Sequence, residues 1–275
     1  MKLFYKVVCG AAAVCIGLGA ILGGTGLLMG GTIRGLFQAG DTNAFSWGPF
    51  SWSAPSWWGS DTVRESYDGI RSLDFDLGSA VVTIREGDAF TLEARRVNAD
   101  RFQTRVDGDT WEIQCPDQGR GSFSGSGGWD QRAPEIIITV PEGFAAEELD
   151  LAIGMGTLEA QGLSARESSL SVGMGEMVLS GFSSGDCGLE VGMGTLELSG
   201  AVTGRGSVDC GMGTALLTLE GDPGDYDYRA SAGLGSVTVG DRSGGGLGSD
   251  LARNTGAPNY FEIDCGMGEV VLRFR

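Results

Sequence analysis

Any chemistry in this chain has to be carried by carboxylates and thiols. The 275 residues include 36 Asp and Glu, 19 Lys and Arg, six cysteines and no histidine. The lack of imidazole removes His-based triads, His metal ligands and imidazole acid–base catalysis. Lys2 and Lys6 are the only lysines, which excludes a phosphate-binding lysine, a Schiff-base lysine or a Ser–Lys dyad in the body of the chain. What remains is a carboxylate pair of the glycosidase kind, an acidic calcium site, or disulfide formation. The net charge of −17 argues against a nucleic-acid partner.

Whether the acids converge depends on the elements that hold them, and those are set by a repeat. Gly-Met-Gly recurs at 154–156, 173–175, 192–194, 211–213 and 266–268, with Gly-Leu-Gly at 233–235. Around each triplet apolar residues alternate at period two, which is a strand pattern and not a helical one. Before the triplet they form two columns: Leu151, Leu170, Leu189, Val208, Ala230 and Ile263, then Ile153, Val172, Val191, Cys210, Ala232 and Cys265. After it come Leu158, Met177, Leu196, Ala215, Val237 and Val270, then Ala160, Leu179, Leu198, Leu217, Val239 and Leu272. Phe75 to Ile84 fits the same template, with Gly78-Ser79-Ala80 at the turn.

Each unit therefore reads strand, glycine turn, strand, and such a unit buries its apolar face only by stacking on neighbours. The expected fold is an all-β, single-stranded β-solenoid of about seven coils, a rod roughly 30 Å long at the usual strand spacing. Glu159, Glu176, Glu190 and Glu197 fall at outward positions, and Thr157, Thr195, Thr214 and Ser236 form a column expected to face solvent. Solvation accounts for these acids. The repeats also lack the Gly-Gly-x-Gly-x-Asp pattern of calcium β-rolls, and no triplet continues into a phosphate-binding Gly-x-Gly-x-x-Gly helix start. No catalytic residues, cofactor or metal site are expected; a polysaccharide-processing enzyme on a β-helix scaffold is the alternative.

Three stretches depart from the repeat. Residues 85–140 hold longer strands, with a hairpin signal at Asp107-Gly108. Insertions are expected near 116–133, which is Gly/Ser-rich, and near 240–259, which contains Gly244-Gly245-Gly246.

The thiols divide between two environments. Cys9 and Cys15 lie in an apolar segment, leaving Cys115, Cys187, Cys210 and Cys265. Cys210 and Cys265 share an inward column. With the Ala232 coil between them in chain order, their Cα atoms would lie about two coil spacings apart, roughly 9.6 Å and too far for a disulfide.

Val7 to Ile33 carry no charge and exceed the roughly 20 residues needed to cross a bilayer as a helix. Lys2 and Lys6 precede this segment, so residues 1–6 are read as a cytoplasmic tail and 7–33 as an uncleaved transmembrane helix, the lipid bilayer being its partner. Residues 34–64 read as a stem, in which Trp47, Trp52, Trp57 and Trp58 suit the headgroup region. The β-domain is assigned to 65–275.

The run Ile263-Asp264-Cys265-Gly266-Met267-Gly268-Glu269-Val270 resembles the closing repeat of the DUF4097 family, and Val208-Asp209-Cys210-Gly211-Met212-Gly213 matches the same pattern. The resemblance runs through weaker coils upstream and covers roughly 65–275. It implies a bacterial β-strand-repeat protein with a short N-terminal membrane segment and an extracytoplasmic right-handed β-solenoid. Members are often labelled adhesins, and some are associated with envelope stress. No catalytic residues belong to the pattern, so it adds none. The expected role is structural, adhesive or envelope-sensing at the cell membrane, with a cell-surface or envelope partner.

Overall fold

A computed structural model describes residues 61–115, 133–246 and 248–275, together with two short strands nearer the N-terminus. Those two, β1 (Ala44–Trp47) and β2 (Phe50–Ser53), pair antiparallel in a unit of their own. The expected membrane segment 7–33, most of the stem and residues 116–132 lie outside the described residues. Among the described residues no helix is long and apolar enough to cross a membrane.

The second unit is built around strands stacked in parallel register, with antiparallel pairs at its two ends. It begins with β3 (Asp61–Tyr67), β4 (Ser72–Gly87), β5 (Phe90–Val97), β6 (Gln103–Asp107), β7 (Thr110–Cys115) and β8 (Glu135–Pro141). The regular coils follow in β9 (Ala145–Gln161), β10 (Ser164–Val172), β11 (Glu176–Val191), β12 (Thr195–Val202), β13 (Arg205–Cys210) and β14 (Thr214–Leu219). The last elements are β15 (Tyr226–Ala232), β16 (Ser236–Val239), β17 (Arg242–Gly245), β18 (Ser249–Arg253), β19 (Asn259–Cys265) and β20 (Glu269–Phe274). The arms before the turn form one ladder, β7, β4, β9, β10, β11, β13, β19, β15, and the arms after it form another, β8, β4, β9, β11, β12, β14, β20, β16. Because β4, β9 and β11 run through a turn and join both ladders, the pairings close on themselves.

Every residue of the four inward columns is buried, and Glu159, Glu190, Glu197, Asp209 and Asp264 are exposed, so the alternation gives the correct register. Thr157, Thr195, Thr214 and Ser236, expected to face solvent, are half-buried beside the turn. Stacking at the turn is tight. A Cβ on Gly175 would lie 2.5 Å from the Gly156 carbonyl oxygen, one on Gly194 2.2 Å from that of Gly175, and one on Gly213 2.3 Å from that of Gly194. The third glycine of the triplet is required by space, since successive backbones pass where a side chain would begin. In β4 this position is Ala80, whose neighbouring outer coil carries the insertion in place of a triplet.

Two features differ from the sequence-based expectation. There are eight coils, because β7 and β8 form an additional one outside the β4 coil. It escapes the repeat count because residues 116–133 replace its triplet. The coils also do not stack in chain order at the C-terminal end. β19 lies between β13 and β15, and β20 between β14 and β16. The 240–259 insertion makes this possible: β17 and β18 run back antiparallel along β16 and β15 before the chain enters the gap.

This overturns the spacing inferred for the cysteines. Cys210 and Cys265 are direct ladder partners, so their Cα atoms are one coil apart, about 4.8 Å, within disulfide range. Both thiols are free here, and Cys210 Sγ donates to the Gly213 carbonyl oxygen at 3.3 Å. Burial pushes the Cys210 thiol up to about 11, with the neighbouring Cys265 adding to the rise, and burial also raises Cys265.

Each end is closed by aromatic packing. Trp111, fully buried, meets Phe75, Tyr67 and Phe90 at centroid distances of 5.3, 5.0 and 6.2 Å, and its Nε1 donates to Thr104 Oγ1 at 3.1 Å. At the other end Tyr226 packs on Phe274 and Phe261 at 5.0 and 6.1 Å. There Asp227 on β15 accepts backbone N–H groups from Thr255, Gly256 and Ala257 at 2.8–3.0 Å and the Thr255 hydroxyl at 2.9 Å. Desolvation works to raise its pKa, but these donors outweigh it and hold the carboxyl at about 2.

Gly194→Ala should cost about 2–4 kcal/mol in urea unfolding, because the added methyl meets backbone. Gly188→Ala, whose Cβ would find nothing nearer than 3.6 Å, should stay within about 0.5 kcal/mol. Equal effects would refute the close stacking at the turn.

For Asp227 the folded carboxyl lies below its unfolded value of about 3.9, so its contribution is complete above that pH and disappears as pH falls toward 2. Asp227→Asn should be less stable than wild type at pH 7. The gap should hold to about pH 5 and narrow between about pH 4 and 2; a gap independent of pH would contradict the assignment.

Candidate functional site

The triplet turn has a second consequence, carried by its middle residue. Both flanking glycines stack backbone on backbone, so the middle side chain can only point away from the rod. Its own N–H is used in the stack: Met174 donates to Gly154, Met193 to Gly173, Met212 to Gly192, Met267 to Gly211 and Leu234 to Gly266, all at 2.7–2.8 Å. The side chains are left 55–64% exposed, at Met174, Met193, Met212, Met267 and Leu234, while Met155 at the start of the row is half-buried.

In stacking order the row runs Met155, Met174, Met193, Met212, Met267, Leu234. Five steps of about 4.8 Å make it roughly 24 Å long. Isolated exposed apolar residues are ordinary, whereas contiguous apolar lines of this length are a feature of interaction surfaces. Methionine suits that use, being unbranched and polarisable enough to fit varied partners.

Acidic residues stand among polar ones on both sides of the row. The outward position before the turn holds Ala152, Ser171, Glu190, Asp209, Asp264 and Ser231, and the position just after it holds Thr157, Glu176, Thr195, Thr214, Glu269 and Ser236. Neither flank contains a lysine or arginine. Glu190, Asp209 and Asp264 are ladder partners in consecutive coils, so three like charges stack in register.

A concavity lies on the ladder before the turn, where Gly188, Gly206 and Ser207 leave the surface low. This groove, of about 690 Å³, gathers Glu167, Asp186, Glu262, Arg205 and Tyr260. Asp186 is partly committed, accepting the Arg205 backbone N–H at 2.7 Å. Cys187 lines the groove but is 3% exposed, and burial pushes its thiol up to about 11, so it is protonated at neutral pH. Among the described residues no group of three or more His, Cys, Asp or Glu is placed to hold a metal. Glu159, Glu176, Glu190 and Glu197, read from sequence as solvated, stand on the outer surface and line no part of the groove.

Neither the methionine row nor the groove follows from the repeat read as a turn marker. The row could have been found from one signal: a large apolar residue at the middle position in all six triplets, each time between two glycines. The groove could not, because it depends on which coils lie side by side.

The exposed row makes a chemical prediction. Brief treatment with dilute hydrogen peroxide should convert Met174, Met193, Met212 and Met267 to sulfoxides first, with Met177, fully buried, protected until unfolding. Peptide mapping by mass spectrometry that found Met177 oxidised as fast as the others would contradict the register.

No curated protein matches this chain. Among solved structures it is similar to a "putative cell adhesion protein" from Clostridium sporogenes at 16% identity, covering 78% of this chain and 99% of that one, with a TM-score of 0.41. It is also similar to a "putative adhesin" from Bacteroides fragilis, at 11% identity, 78% and 98% coverage and a TM-score of 0.34. A "putative lipid binding protein" from Parabacteroides distasonis matches at 14% identity, 77% and 96% coverage and a TM-score of 0.35. The family model described as Toastrack DUF4097 matches residues 70–241, the stretch that holds the first five triplets and most of both ladders, and the chain therefore belongs to the DUF4097 family.

Proposed function

We propose that this chain is a non-catalytic interaction scaffold, an adhesion-like or envelope-sensing protein held at the outer face of a bacterial cell membrane by residues 7–33 and carrying a right-handed β-solenoid. The observation that supports it best is the methionine row: a rigid, glycine-spaced edge keeps large apolar side chains in water in an otherwise strongly acidic protein. Such exposure favours association. The membrane placement draws on the uncharged Val7–Ile33 run and the Lys2 and Lys6 that precede it.

The enzymatic alternative would draw on the acids of the groove, but Glu167 and Glu262 lie on β10 and β19, three coils or about 14 Å apart, wider than a glycosidic pair requires.

Protease added to intact protoplasts should remove the β-domain and leave a small membrane-bound stub; full protection would overturn the topology. Incubation of the purified chain with cell-wall polysaccharide should release no reducing ends. Release that is lost in Glu167→Gln would move the reading to the enzyme.

A further inference from the structure

The methionine row restricts what can occupy it. Added strands are excluded along this edge, because the triplet N–H groups are spent between coils, with Gly173 donating to Ile153, Met174 to Gly154 and Gly194 to Gly173. A partner must therefore bind through side chains. A second copy of the chain would bring the Glu190, Asp209 and Asp264 stack against an equally acidic surface, and an anionic membrane would meet the same repulsion. Charge complementarity selects a cationic partner with an apolar stripe.

Length points to its shape. A row of roughly 24 Å matches about 16 residues of α-helix at 1.5 Å per residue. A helix with apolar residues at i, i+3, i+4 and i+7 presents a continuous stripe of that length, with flanks free to carry Lys or Arg. We propose that the Met155–Leu234 edge is a docking site for a basic amphipathic helix of about four turns, whose apolar stripe lies on the methionines and whose basic flanks face Glu190, Asp209 and Asp264 on one side and Glu176 and Glu269 on the other. This rests on the reading of the edge as an interaction surface and adds the chemistry of its partner.

The test uses the full chain in phosphatidylcholine nanodiscs, with empty nanodiscs as reference, and a 16-residue Leu/Lys peptide with leucines at helical spacing. A peptide of the same composition with the leucine spacing scrambled is the control. The helical peptide should bind at least 10-fold more tightly than the scrambled one. Its affinity should fall at least 10-fold in Met174→Ser/Met193→Ser/Met212→Ser and be retained in the corresponding triple Met→Leu variant. Glu190→Gln/Asp209→Asn/Asp264→Asn should weaken binding about 3- to 10-fold and flatten its salt dependence. Circular dichroism melts matching wild type establish that each variant is folded.

Equal binding by wild type and the serine variant, or by both peptides, would overturn the proposal. Two further measurements separate it from the broader reading. If the peptide fails, but wild type self-associates or binds phosphatidylglycerol vesicles and the serine variant does not, the partner class is wrong and the edge remains an interaction surface. If the serine variant matches wild type in all three assays, both are overturned.

Discussion

The contact on which this structure depends is between backbones. At each turn the carbonyl oxygen of one coil occupies the place where a Cβ of the next coil's third glycine would sit, at 2.2 Å for Gly194 over Gly175, Gly268 over Gly213 and Gly235 over Gly268. Glycine is the only residue that lets two coils approach so closely. Once the turns are stacked, the strands on either side fall into register. The inward columns then meet their counterparts above and below, and apolar burial follows along the length of the rod. The same contact turns the middle residue outward, so the spacing of the core and the exposure of the methionine row have one cause.

A stack of repeats is weakest at its ends, where a terminal coil has one neighbour and a chain terminus can fray. Here both terminal coils are protected by the order of stacking. The β4 coil lies beneath β7 and β8, and the β19–β20 coil lies beneath β15 and β16, so the first and last coils in chain order each have neighbours on both sides. Antiparallel strands β5, β6, β17 and β18 then cover the outer coils, with β3 paired to β5 beyond them, and polar residues on the outermost strands, such as Arg64, Arg105, Arg242 and Asp250, discourage further strand addition. Asp227 holds the chain as it turns back toward the gap that β19 fills.

The core was legible from the sequence because strand alternation is local: each inward residue is two from the next, and no knowledge of the partner coil is needed. Val191 and Cys210 could be assigned to the same column from the triplets alone. The identity of the neighbouring coil was not legible. The 33-residue interval before the last triplet shows that something intervenes, but not that the chain passes back beneath the coil before it. That is why the Cys210–Cys265 separation came out too long, and why the groove formed by Gly188, Gly206, Ser207 and Tyr260 could not be seen. The eighth coil was hidden for a related reason, since its two arms are divided by an insertion where the others carry a triplet. The methionines were visible as residues but not as a surface, because the turn was read for its glycines.

Among the described residues of the second unit, aliphatic columns stack inside and an apolar line runs along the turn edge between acidic residues. The order of side chains in that line tests the account most directly. With ¹³C-labelled methionine and leucine methyl groups, nuclear Overhauser effects should link Met174 to Met193, Met193 to Met212, Met212 to Met267, and Met267 to Leu234. An effect between Met212 and Leu234 in place of one between Met212 and Met267 would mean that the coils stack in chain order, and would contradict the structure described above.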